Sequence, residues 1–167
     1  MSTSTKRPLS EVKPIAVELR DLLAPHTAWI AIAGSVRRNK PMVSDVEIIA
    51  HKSPALWNAL DDLVGRGVVS RWKDAHGKER WNGQKYRALV YKGVHVDIFT
   101  ADHWNRGYQF WLRTGPGDAN QFLVTRVKNH NAPFKIHGGY IYDTKDNRLM
   151  IPDEAAFWKL MNFPTIA

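Results

Sequence analysis

Two stretches of this 167-residue chain alternate apolar and ionisable residues, Asp45-Val46-Glu47-Ile48 and Val94-His95-Val96-Asp97-Ile98. Such alternation marks a β-strand, because successive side chains leave a pleated strand on opposite faces. Val46, Ile48, Val96 and Ile98 then enter a core, while Asp45 and Glu47 project together from the other face. Asp97 is placed to face that pair from a neighbouring strand. A sheet with one apolar and one acidic face needs helices over its apolar side.

The chain supplies them. From Ser10, the residues Val12, Ile15, Ala16, Leu19, Leu22 and Leu23 recur at helical spacing, with Ser10 as the expected cap and Pro25 as the stop. Residues 29–33 read as a buried strand running into Gly34-Ser35, and 45–50 as the next strand. Ser53-Pro54 opens a helix that carries Leu56, Leu60 and Leu63 and stops at Gly65 and Gly67. Strands are expected at 68–73, 85–91 and 94–100, with the segment around Gly77 and Gly83 as a connection. Beyond them come helices at 104–112 and 120–128 separated by Gly115-Pro116-Gly117. Short strands at 134–136, 139–142 and 148–151 and a helix at 153–161 follow, with His137-Gly138-Gly139 as a hairpin turn.

Composition narrows the chemistry. There is no cysteine, which removes disulfides, thiolate zinc sites and cysteine nucleophiles, so a bound metal must use oxygen or imidazole. The seven histidines are scattered without a His-x-x-x-His pair. The formal net charge is +8, with cations spread along the chain, as a folded groove for an acidic partner requires. No apolar run reaches membrane-spanning length, and the polar MSTSTKRPLS start lacks a secretory apolar stretch. The expectation is a cytoplasmic protein that is neither secreted nor membrane-bound.

An isolated Asp-x-Glu ordinarily faces solvent. Three carboxylates gathered on one face instead repel one another unless divalent cations neutralise them, and hard oxygen donors suit Mg2+, with Mn2+ as the alternative. Two such ions lower the pKa of an attacking hydroxyl and stabilise a leaving pyrophosphate. The segment upstream fits that chemistry. Gly34-Ser35-Val36-Arg37-Arg38 follows a buried strand, and a glycine there lets backbone amides approach a phosphate, which Ser35 and Arg38 are placed to hold.

The run GSVRRNKPMVSDVE resembles the palm of family X DNA polymerases, the group that includes DNA polymerase beta. Arg113-Thr114-Gly115-Pro116 with Asn120 resembles that family's Thr-Gly turn and asparagine-bearing helix. Ile151-Pro152-Asp153-Glu154 and the run from Phe157 to Pro164 resemble the end of its nucleotide-selecting subdomain. The resemblance implies an α+β fold, with a polymerase beta-like nucleotidyltransferase palm of mixed sheet and flanking helices plus a small C-terminal α/β subdomain. It implies Asp45, Glu47 and Asp97 as catalytic metal ligands. It further implies Gly34, Ser35, Arg38 and Ser44 at the triphosphate, and Thr114, Gly115 and Asn120 at the sugar and base. The turn's glycine is expected to precede a cis peptide. Arg126 and Lys128 lie on the helix that the resemblance places beside DNA.

The sequence also departs from the pattern. Glu47 stands where the polymerases usually carry Asp, Leu112 and Arg113 replace an aromatic pair, His95 replaces an arginine, and Val124 replaces a template-reading arginine. About thirty residues precede the palm without a helix-hairpin-helix pattern, so the expected form is the short, virus- or phage-like one. The expected layout is a disordered segment over 1–9, a palm over 10–112 and the nucleotide-selecting subdomain over 113–167. The implied activity is template-directed, distributive DNA synthesis on gapped or primed DNA from deoxynucleoside triphosphates, in repair or replication, by a monomer. The alternative is a non-polymerase nucleotidyltransferase acting on RNA, a protein or a small molecule.

Overall fold

The structure is a computed structural model, and it describes residues 5–129 and 132–162. The expectations for residues 1–4 and for Phe163-Pro164 lie outside these. The chain divides into two compact units, 1–100 and 101–167. The boundary expected after Leu112 thus falls earlier, because the helix containing Trp111 packs into the core of the second unit.

The first unit opens with β1 (Arg7–Pro8), α1 (Leu9–Leu23), β2 (Ile30–Ala33) and α2 (Gly34–Arg37). It continues through β3 (Met42–Val43), β4 (Asp45–His51), α3 (Pro54–Gly65), β5 (Ser70–Arg71), β6 (Tyr86–Tyr91) and β7 (Val94–Ala101). Five strands form one mixed sheet in the order β2-β4-β7-β6-β5, so the two alternating segments are immediate neighbours. Val46 and Ile48 of β4 and Val96 and Ile98 of β7 are buried in one cluster with Val12, Leu19 and Leu23 of α1 and Leu56 and Leu60 of α3. Each such side chain contributes about 1.5–3 kcal/mol on burial. A one-residue slip of β4 would expose Val46 and Ile48 and bury Asp45 and Glu47, so this cluster fixes which face carries the acids.

Residues 7–9 differ from the expectation of disorder over 1–9. Arg7 and Pro8 pair with Val43 and Met42, and Leu9 donates its amide to the Pro41 carbonyl. That anchor starts α1 at Leu9, so Ser10 lies inside the helix and Pro8 occupies the cap position without a side-chain bond. Ser53 does precede α3, but its hydroxyl bonds the His26 carbonyl instead of capping.

Arg87 is buried in this unit. Its guanidinium lies 4.6 Å from the Trp57 ring and 5.1 Å from the Trp81 ring, and bonds Asp61 at 3.0 Å. Trp81 donates its indole N–H to the same carboxylate and is buried, so it packs the protein interior.

The second unit contains α4 (Arg106–Thr114), α5 (Gly117–Asn129), β8 (Phe134–His137), β9 (Tyr140–Asp143) and α6 (Glu154–Met161). Its core is aromatic, with Trp111 stacked on Phe157 at 4.5 Å and Tyr108, Phe134, Ile141 and Met161 around them. Gly138 and Gly139 adopt positive φ in the β8–β9 turn, as the hairpin requires. The third strand expected over 148–151 is not a ladder strand. Arg148 makes a single bridge to Tyr142, and the segment then turns its backbone toward α4, where Ile151 bonds Trp104 and Gly107. Asp153 caps α6 by accepting from the Ala156 amide at 2.8 Å. Among the described residues no helix is long and apolar enough to cross a membrane.

Candidate active site

On the open face of the sheet, β4 and β7 bring Asp45, His95 and Asp97 together. One donor atom from each lies within 4.8 Å of the other two. His95 Nε2 is 2.9 Å from Asp97 Oδ1, and the Tyr86 hydroxyl donates to the same oxygen at 2.6 Å. Burial and, after it, the charge of Asp97 raise the pKa of Asp45 above its ordinary value, with His95 acting in the opposite sense. Two carboxylates are thus gathered in a partly buried place, and the donors there are carboxylate oxygen and imidazole nitrogen. Both features fit a divalent cation.

Glu47 is the expected ligand that stands outside this group. It pairs in register with Ala33, and its side chain covers the turn that follows. A Cβ on Gly34 would lie 3.1 Å from Glu47 Cδ, and Gly34 has φ +64°. Gly34 thus suits the left-handed turn, and a Cβ there would press on the Glu47 side chain. The structure ties the Gly-Ser turn to the acidic strand through this contact.

Ser35 and Arg38 lie in and just after α2. The Arg38 amide bonds the Gly34 carbonyl at 3.1 Å and the Lys40 amide bonds the Ser35 carbonyl at 3.1 Å, so the segment winds tightly back toward β3. Ser44 is half-buried at the wall of a 240 Å³ cavity that Arg7, Trp72 and His95 also line.

In the second unit, the Gly115–Pro116 peptide is cis, as the resemblance implied. The Thr114 hydroxyl donates to the Phe110 carbonyl at 2.7 Å, and Gly115 takes φ +69°. Asn120 is buried and donates its side-chain amide to the Leu112 carbonyl at 2.7 Å, clamping the turn between α4 and α5. Its Oδ1 has no protein partner among the described residues. Arg126 donates to the Met161 carbonyl at 2.8 Å and so ties α5 to α6, whereas Lys128 is exposed. Of the pair expected at DNA, Lys128 keeps the more open position.

Two site residues escaped the sequence reading. Tyr86 pairs with Phe99 and Ala88 with Asp97, so Tyr86 shares the face of Asp97 one pleat along. Trp72 stacks on His95 with ring centroids 4.5 Å apart and planes 7° from parallel. The alternation Tyr86-Arg87-Ala88 was the signal for the first. The second had none, because Trp72 lies beyond the end of β5 and reaches His95 across the sheet.

No protein-family profile and no curated protein sequence matches the chain. Among solved structures, the fold is similar to that of Leishmania infantum polymerase beta in a ternary P/T complex. The TM-score is 0.72 at 15% identity, covering 97% of this chain and 75% of that one. The likeness establishes a polymerase beta-like α+β fold.

Proposed function

We propose that the protein is a template-directed DNA polymerase that adds deoxynucleotides to a primer 3′ hydroxyl, filling short gaps distributively. The observation that carries this reading is the convergence of Asp45 and Asp97 from adjacent strands, beside the Gly34 turn, on a polymerase beta-like fold. Asp45, Asp97 and Glu47 would hold Mg2+ or Mn2+. Bound there, the ions supply activation of the attacking hydroxyl and neutralisation of the leaving pyrophosphate.

The protein's own groups do the positioning. Tyr86 and His95 fix the Asp97 carboxylate, which orients the primer hydroxyl. Ser35, Arg38 and Ser44 receive the triphosphate at the turn that Gly34 permits. Thr114, Gly115 and Asn120 present the second unit's turn to sugar and base, and Arg126 and Lys128 lie along the helix that meets DNA.

The test offers a one-nucleotide gap with each of the four template bases in turn, together with Mg2+ and all four labelled deoxynucleotides. The expected product is a single insertion that follows the template base. Incorporation indifferent to the template overturns the polymerase reading and supports the alternative nucleotidyltransferase. Ribonucleotides in the same assay read the sugar choice at Leu112 and Arg113.

A further inference from the structure

We infer that His95 is itself a ligand of the cation held by Asp45 and Asp97, and that its imidazole makes this centre prefer Mn2+ to Mg2+. The inference rests on the reading above only in taking a divalent cation to bind there. Neighbouring donors on a six-coordinate ion with bonds of about 2.1 Å lie about 3 Å apart, and opposite donors about 4.2 Å. His95 Nε2 and Asp97 Oδ1 stand 2.9 Å apart as a hydrogen-bonded pair, and once a cation displaces the Nε2 proton to solvent that spacing is the one two adjacent ligands take. The Asp45 donor lies within 4.8 Å of both, so a small inward movement completes the set.

The ring is held for this role. Trp72 stacks flat against it, and β7 fixes its backbone between Val94 and Val96, which are both buried. Tyr86 donates to Asp97 and keeps that carboxylate turned toward the imidazole. The Asp97 oxygen is thereby supported from outside the donor set, as metal-bound carboxylates commonly are.

The donor chemistry then sets the choice of metal. Mg2+ demands oxygen ligands in a strict octahedron, whereas imidazole nitrogen suits transition-metal ions. Among these, Mn2+ also accepts the carboxylate, water and phosphate oxygens that must fill the remaining positions.

The test uses the full chain without DNA or nucleotide, loaded with Mn2+ and studied by pulsed electron paramagnetic resonance. The expected spectrum carries a nitrogen hyperfine coupling that changes when histidine is labelled with heavy nitrogen, and this readout needs no variant. His95→Gln is expected to abolish the coupling and weaken Mn2+ binding about tenfold, with little change for Mg2+. Circular dichroism of that variant checks that it folds. Bound Mn2+ without nitrogen coupling, unchanged Mn2+ affinity in His95→Gln, or no Mn2+ binding overturns the inference. Nitrogen coupling in a protein that fails the templating assay would leave the ligand assignment standing and remove the polymerase reading. An oxygen-only Mn2+ site in a protein that passes would do the reverse.

Discussion

Asp45 shows at the level of one residue how the site trades stability for charge. Burial and the Asp97 carboxylate both disfavour its ionised form, so the folded chain keeps that proton to higher pH than the unfolded chain does. The metal-free protein therefore loses stability as pH rises through the raised value, and regains it on acidification toward the ordinary carboxylate value of 3.8. Asp45→Asn removes the penalty. Its metal-free melting temperature at neutral pH is expected to exceed the wild type by a few degrees, while Mn2+ should stabilise the wild type and leave the variant unmoved. Thermal melts with and without the ion check both statements. Equal melting of the two proteins without metal would contradict the charge argument. Asp45 and Asp97 were legible in the sequence because strand alternation ties each acid to buried neighbours. His95 was legible as a position but not as a partner of the cation, since pairing it with Asp45 depends on which strands are neighbours.

Elements were read best where the apolar period was long. The helices α1 and α3 and the strands β4 and β7 follow from spacing alone. The two-residue strands β1 and β3 carry no period to detect, and the 148–151 segment has strand-like residues but divides its backbone bonds among Ile141 of β9, Trp104 and Gly107 of α4. The approach of α4 to α6 is likewise invisible to periodicity. Gly107 lies so close to Asp153 that an added Cβ would meet the Asp153 carbonyl oxygen at 2.0 Å, and the Gly107 amide bonds Ile151. Gly107→Ala is therefore expected to force the two elements apart, although alanine ordinarily favours a helix. A loss of about 3 kcal/mol or more in denaturant unfolding of the second unit is the predicted outcome. A neutral or stabilising effect would show that the contact yields more easily than the backbone distance implies.

For the molecule as a whole, the net charge of +8 suits an acidic partner such as the DNA proposed above. If the basic surface grips the DNA backbone, each neutralised phosphate adds about 0.9 to the slope of log affinity against log salt. Four such contacts predict about a hundredfold weaker binding to gapped DNA at 200 mM than at 50 mM salt, measurable by fluorescence anisotropy. A flat salt response would mean that the charge serves another purpose.

If the carboxylates on β4 and β7 form the centre of a nucleotidyl-transfer site, single-turnover incorporation into gapped DNA depends on them. The wild type and Asp97→Asn are compared at saturating DNA and deoxynucleotide. Because Asp97→Asn keeps the shape of the side chain and removes only its charge, the rate of insertion is expected to fall about a thousandfold or more, with DNA binding retained. Insertion by Asp97→Asn at the wild-type rate would contradict that expectation.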